Sequence, residues 1–242
     1  MNDIKSIIKS NEILRLFIKQ NGPLRIKDII EKLDIPQSTA YRIVKTHVNQ
    51  GLLDALGDGW YKPGWVIQAL YEPVFPHYDK LTELARPLLE EAVNHLGETI
   101  ILTTLRGNHV LVLDTVESTQ NLRFSFYKNE VFLPYFGASS KILIAFAEEN
   151  YRNDLIKLAE DIDKEEFSQE LEKIRQNGFA LSHSEVDVGA IGIGVPIILN
   201  KKLIGGLSVA APEFRINHEK QEEIIQYLKA MTKEITFLMK ND

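Results

Sequence analysis

Between residues 34 and 53 (DIPQSTAYRIVKTHVNQGLL) apolar side chains recur at the helical period on one side only. Ala40, Ile43, Val44 and Val48 fall together, while Gln37, Ser38, Tyr41, Arg42, Lys45 and Thr46 fall on the other side. That second face carries no large aliphatic residue and no acid. It offers amides, hydroxyls and cations, the groups that hydrogen-bond base edges and phosphate oxygens. Pro36 suits the first turn and Gly51 the position just past the end, which bounds a helix of about four turns, short enough for a major groove. A solvated surface helix would read the same way, so the flanks decide. Residues 24–33 (LRIKDIIEKL) form a short amphipathic helix with Ile26, Ile29, Ile30 and Leu33 inward. Only Asp34, Ile35 and Pro36 separate it from the next, room for a sharp turn. Residues 52–56 and 60–63 are extended runs joined by Gly57-Asp58-Gly59, a hairpin signal. Residues 4–20 supply a first helix with Ile7, Ile8, Leu14, Phe17 and Ile18 available to a core, ended by Asn21-Gly22-Pro23. Helix, tight turn, helix and hairpin in this order predict a winged helix-turn-helix whose second helix of the pair reads DNA.

Further along, residues 65–71 continue as helix, and Pro73 and Pro76 interrupt the run EPVFPHYD beyond them, which places a linker at 65–78 between units at 1–64 and 79–242. A helix runs from Asp79 to His95 with Gly97 as its stop, and Pro87 inside it predicts a kink. Residues 99–105, 110–116 and 122–127 have β patterning, the first two joined by Arg106-Gly107-Asn108. Helical patterns occupy 139–147, 151–159 and 165–176, with Gly178 closing the last. Strands at 191–199 and 203–211 flank Asn200-Lys201-Lys202, and an amphipathic helix covers 218–239. Strands in hairpins with helices grouped between and after them predict an α+β unit on an antiparallel sheet.

Charge changes the picture. The chain is acidic, with 28 Lys and Arg against 34 Asp and Glu, which by itself argues against nucleic acid. Residues 1–64, however, hold 10 basic against 7 acidic residues, leaving 18 against 27 for the remainder, so a mildly basic head sits on an acidic body. The absence of cysteine excludes disulfides and thiolate chemistry and fits a reducing, cytoplasmic setting. Residues 1–21 mix Asn, Asp, Lys and Glu through the apolar positions, unlike a signal peptide, and no apolar run approaches the ~20 residues of a membrane span.

The runs IPQSTAYRIVKTHVNQGLL and GDGWYKPG resemble the helix-turn-helix and wing of the isocitrate-lyase-regulator (IclR) family of transcription factors. The likeness continues through LARPLLEEAVNHLGETIILTTLRGNHVLVLDTVES, GASSKILIAF and NGFALSHSEVDVGAIGIGVPIILNKKLIGGLSVAAPEFRI, and so spans almost the whole chain. The resemblance implies a DNA-binding head on a C-terminal, GAF-like effector-binding domain. It also implies homodimers or homotetramers that regulate nearby genes, here as a repressor, with a double-stranded operator and a small-molecule effector as partners. On the family's pattern Ser38, Thr39, Tyr41 and Arg42 match the core of the recognition helix, with Gln37 and Lys45 beside them. The effector pocket matches Phe136, Gly137, Ala138, Ser139 and Ser140 on a loop and helix start, and Ser182, Gly192, Ser208 and Ala210 on strands. Ser140 stands where the family has glycine, and Gly192 and Ala210 where acid-binding relatives carry polar groups. A small organic acid held by Ser208, Ser139 and backbone N–H groups fits this set, and a more apolar ligand fits it equally. Pro73 and Pro76 depart from the family's longer linker helix.

Competing chemistry is thin. Gly137-Ala138-Ser139-Ser140-Lys141 looks like a nucleophile elbow but lacks the final glycine, and it fails Ser-x-x-Lys because Ala138 stands three before Lys141. Gly189, Gly192 and Gly194 do not make a dinucleotide fingerprint; they fit close approach of a ligand or a neighbouring strand. No catalytic serine, cofactor or enzyme activity is expected. His183, Glu185 and Asp187 alternate, so on one strand they would share a face and could gather a metal, as in a metal sensor or hydrolase; a polar face on an edge strand reads alike. His47 lies toward the packed side of its helix as a core or interface residue. The reading is therefore a DNA-binding regulator in which Arg42 and Gln37 meet base edges, and Lys45, Ser38, Arg25 and Lys62 meet phosphates. Arg25 also suits a plain solvated charge.

Overall fold

The apolar stripe of residues 4–20 folds as α1 (Lys5–Gln20) in the computed structural model, which describes residues 3–20, 22–71, 76–160 and 162–241. Two units result, Met1–Pro76 and His77–Asp242. Chain order in the first is α1, β1 (Leu24–Arg25), α2 (Ile26–Leu33), α3 (Gln37–Asn49), β2 (Leu53–Gly57), β3 (Trp60–Pro63) and α4 (Trp65–Tyr71). Ile13, Phe17, Ile26, Ile29, Ile35, Ala40, Val44 and Leu53 form its core. Of the α1 residues expected inside, Phe17 is buried and Leu14 half-buried, but Ile7, Ile8 and Ile18 are exposed. For Ile7 and Ile8 the reason is length, since α2 has 8 residues and α1 has 16, so at about 1.5 Å per residue α2 covers only part of α1; Ile18, next to buried Phe17, falls off the stripe that Ile13 and Phe17 mark.

The second helix also starts later than its apolar pattern suggests. Leu24 and Arg25 instead pair with Tyr61 and Trp60, making a sheet of order β1-β3-β2. The Arg25 guanidinium has no acceptor and cannot cap α2, so Asp28 does so by accepting the Arg25 N–H at 3.1 Å. At the far end of α3 the chain turns at Gly51 (φ 70°), whose carbonyl accepts the Val66 N–H at 3.1 Å and so ties α4 to this unit. A methyl group at Gly64 would overlap that carbonyl. The wing closes through Asp58 and Gly59, both at positive φ. Asn21 and the interruption placed at Pro73 lie outside the described residues, whereas Pro76 opens the next helix.

The second unit is α+β. Its elements are α5 (Pro76–Leu96), β4 (Thr99–Arg106), β5 (His109–Val116), β6 (Val131–Phe132), α6 (Ala138–Phe146), α7 (Glu149–Leu158), α8 (Lys164–Asn177), β7 (Ala180–His183), β8 (Ala190–Leu199), β9 (Lys202–Pro212) and α9 (His218–Asn241). Pro87 lies within α5 without ending it. One antiparallel sheet runs in the order β6-β5-β4-β9-β8-β7. Alternation sorts its faces. Ile191, Ile193, Val195 and Ile197 with Leu207 and Val209 pack against Leu89 of α5 and Ile224 and Leu228 of α9. The opposite face of β8 and β9 carries Gly192, Gly194, Gly206 and Ser208, small enough for α6 to lie directly on it. There Ile142 and Leu143 of α6, with Phe167 and Leu171 of α8, form a second core.

Residues 122–127, expected as a strand, are irregular. Their alternation has no partner: the edge of β5 is taken by β6, through Val110 with Phe132 and Leu111 with Val131. Residues 122–127 are pinned elsewhere by side chains, Thr99 Oγ1 donating to the Phe124 carbonyl at 2.7 Å and Arg215 to the Leu122 carbonyl at 2.9 Å.

Candidate nucleic-acid interface and effector site

In the first unit the reading face of α3 is open. Gln37, Ser38, Tyr41, Arg42, Lys45 and Thr46 are exposed, Thr39 is half-buried, and Ala40 and Val44 are buried beneath them. Neither Arg42 nor Lys45 forms an ion pair among the described residues, so both charges face solvent. Thr46 is partly committed, its hydroxyl donating to the Arg42 carbonyl at 2.8 Å. His47 is buried, and its Nε2 lies 2.6 Å from Ser10 Oγ, which fastens α3 to α1. Its Nδ1 has no partner among the described residues, and burial pushes the imidazole pKa down. The other two expected contacts lie on the wing sheet. The Arg25 guanidinium sits 4.6 Å from the Trp60 ring centroid, a cation–π contact that holds it beside the wing. Lys62 faces Asp54 across the hairpin at 3.9 Å, an exposed pair that holds it weakly.

The second unit presents a different kind of site. Helix α6 starts at Ala138 after Gly137, and the N–H groups of these two residues are already occupied. The Gly137 N–H donates to Glu185 Oε2 at 3.0 Å, and the Ala138 N–H to Ser182 Oγ at 3.0 Å. Glu185 and Glu170 also hold the buried Lys141 ammonium, at 2.7 and 2.6 Å. The oxygens that a carboxylate ligand would supply at this helix start come from the chain itself.

Ser182 and Gly192 are register partners in β7 and β8, and a methyl at Gly192 would meet Ser182 Oγ and Ala138. Gly194 lies under the Ala138 carbonyl. The close approach that these glycines allow is thus by α6 and by β7. Ala138, Ser140, Ser182 and Ser208 are buried, Ser139, Gly192 and Ala210 half-buried, and Phe136 is exposed. The Ser208 hydroxyl has no partner among the described residues. Ser140, with its hydroxyl 3.4 Å from the Leu133 carbonyl, is fully enclosed. A cavity of about 620 Å³ does lie beside α6, lined by Tyr135, Phe136, Lys141, Phe167, Glu170 and Glu185 among others. Of the nine positions expected to line the effector site, only Phe136 borders it.

The metal reading loses its geometric premise. Strand β7 ends at His183, and Ser184 takes a left-handed φ of 53°, so the three side chains do not share a face. His183 Nδ1 pairs with Glu213 at 2.8 Å while Glu185 turns inward to Lys141.

Three comparisons bear on these sites. The family described as bacterial transcriptional regulator IclR, C-terminal, matches residues 77–237, and the IclR helix-turn-helix domain matches residues 6–57. The HTH-type transcriptional regulator KipR of Bacillus subtilis is 25% identical over 94% of this chain and 94% of its own. The acetate operon repressor of Salmonella typhimurium is 21% identical over 96% of this chain and 89% of its own. Among solved structures, an IclR homolog from Microbacterium hydrocarbonoxydans in complex with 4-hydroxybenzoate superposes with a TM-score of 0.77 at 20% identity, covering 98% of this chain and 100% of that one.

Proposed function

The chain belongs to the IclR family of helix-turn-helix transcriptional regulators, and from that premise we propose that it is a repressor whose hold on its operator is set by a small, largely apolar effector. The observation that carries the DNA half is the acid-free, solvent-facing surface of α3, where Gln37, Ser38, Tyr41, Arg42 and Lys45 stand on a packed back. Arg42 and Gln37 read base edges; Lys45, Ser38, Arg25 and Lys62 hold phosphates. A homodimer or homotetramer presents its heads in pairs, so the operator is roughly palindromic. The protein works in the cytoplasm, where the DNA is, and no helix among the described residues is long and apolar enough to cross a membrane.

Effector binds against Ser139, Gly192, Ser208 and Ala210 once α6 lifts from β8 and β9, which opens the buried Ser208 hydroxyl, without a partner among the described residues, to its polar group. A carboxylate aimed at the α6 start has to displace Glu185 or Ser182, whereas an apolar or phenolic body does not, and this favours the latter. The 4-hydroxybenzoate held by the Microbacterium relative carries a carboxylate as well as a phenol, so comparing it with phenol itself tests whether the α6 start excludes the acid group. Binding alters operator affinity only in so far as the effector binds one arrangement of the protein better than the other.

The test is Arg42→Ala on an operator selected from random duplexes by the wild-type protein. A bidentate base contact predicts a loss of about 1–3 kcal/mol on the selected site with little change on random DNA. Equal losses on both remove Arg42 from the base-reading set.

A further inference from the structure

A second groove flanks the reading helix in the first unit. It has a volume of about 530 Å³ and runs between α1 and α3, with Lys5, Ser6, Lys9 and Ser10 on one wall and Thr39, Arg42 and Thr46 on the other. Ile43 and His47 lie between the walls. Its lining holds three cations and four hydroxyls and no carboxylate, and neither Lys5, Lys9 nor Arg42 forms an ion pair among the described residues. The cavity beside α6 is the opposite case, since its Lys141 lies between two glutamates. A groove of donors with no internal acceptor charge calls for an anion from outside. Ammonium, guanidinium and hydroxyl groups converging on one place are the donor set that phosphate oxygens accept from.

The groove is also preformed. The Ser10–His47 hydrogen bond at 2.6 Å fixes the spacing of its walls, and Ile13 and Phe17 of α1 pack with Ala40 and Val44 of α3 in the core of the same unit. Its position relative to the reading face is set by Arg42 and Thr39, which belong to both. With α3 in a major groove, the phosphate strand bordering that groove runs past whatever flanks the helix. We propose that the α1–α3 groove is a phosphate seat that grips the DNA backbone through Lys5 and Lys9, beside the bases that α3 reads. Being sequence-blind, it sets register and affinity, while Arg42 on its rim connects it to base readout. The proposal rests on the DNA-binding function above and adds contacts from α1, which precedes the paired helices α2 and α3.

The full-length protein and its Lys5→Ala/Lys9→Ala variant are compared across a salt series, on a wild-type-selected operator and on a random duplex. Loss of one or two phosphate contacts predicts that the slope of log K against log salt falls by about 0.9 for each. It also predicts that both DNAs lose affinity by the same factor, leaving the specificity ratio unchanged. Arg42→Ala in the same assay lowers that ratio. An unchanged slope, or a drop in ratio like that of Arg42→Ala, overturns the proposal.

Two controls test other occupants. Saturable binding of inorganic phosphate to the DNA-free protein, lost in the double variant while its salt slope on DNA stays unchanged, would reassign the groove to a free anion. Dissociation of the double variant in light scattering would reassign it, with the neighbouring exposed Ile7, to a contact between copies of the chain. Failure of the function itself has a different signature: the wild-type protein then selects no sequence, while the salt slope on random DNA still reads the groove.

Discussion

Two polar sites of the molecule handle their charges in opposite ways. Around α3 the cations Arg42 and Lys45 are exposed and form no ion pair among the described residues. Beside α6 the buried cation and the helix start are already engaged: Lys141 by Glu170 and Glu185, the Gly137 N–H by Glu185, and the Ala138 N–H by Ser182. Binding free energy is available in different forms at the two sites. An unpaired, hydrated cation gains by meeting a phosphate, since counterion release accompanies the contact. A satisfied network offers a ligand only what remains after it has displaced an internal partner. The open cations of the head therefore favour a polyanion, and our proposal for the body is a ligand that adds to its network rather than competing with it.

The largest expected effect comes from removing a charge in the body. Lys141→Met leaves two glutamates facing each other without their cation and should lower the stability of the second unit by about 2–3 kcal/mol in urea unfolding. That falls short of the 3–5 kcal/mol for a fully buried pair, because the side chains of Glu170 and Glu185 stay 38% and 25% exposed. A loss under about 0.5 kcal/mol, the size expected of a surface substitution, would show that the pairing is not what holds α6. The same kind of change in the head sharpens the contrast: Lys45→Ala should alter stability by less than about 0.5 kcal/mol while weakening DNA binding several-fold.

The smallest effect is one of pH. Burial holds His47 below its ordinary pKa of 6.5, so the folded head favours the neutral ring and the unfolded chain takes up the proton first. The stability contributed by neutral His47 is complete above about pH 6.5 and is lost as pH falls through the lower folded value. Protonation makes both ring nitrogens N–H donors, and Nδ1 has no acceptor among the described residues. Thermal unfolding of the head should shift down on acidification, and His47→Gln should flatten that shift; an unchanged slope would contradict it.

What could be read from the sequence divides along the same line. The faces of α3 were legible because a helix packed on one side writes its burial into a single period, and Ala40, Val44 and the six exposed polar positions follow it. The wing was legible from Gly57-Asp58-Gly59. Two-residue strands were not: β1 and β6 have no periodicity to show, and residues 122–127 alternate convincingly with nothing to pair against. Small residues on β8 and β9 were legible as a close approach, but a glycine admits a helix as readily as a ligand, and only the folded chain places α6 on Gly194. The Lys141–Glu185 contact joins residues 44 apart and leaves no local trace. The groove on α1 has one trace in the sequence, lysines and serines recurring at a spacing of four in Lys5, Ser6, Lys9 and Ser10, but a solvated helix face shows the same spacing.

Whether the open face of α3 reads sequence is decided by the affinity ratio of the wild-type protein for the DNA upstream of its own coding sequence over random DNA, followed across a salt series. A steep salt dependence on both duplexes is expected, with a ratio of at least about 10³ at physiological salt, as for specific regulators. Equal affinity for both at every salt concentration would show that it does not.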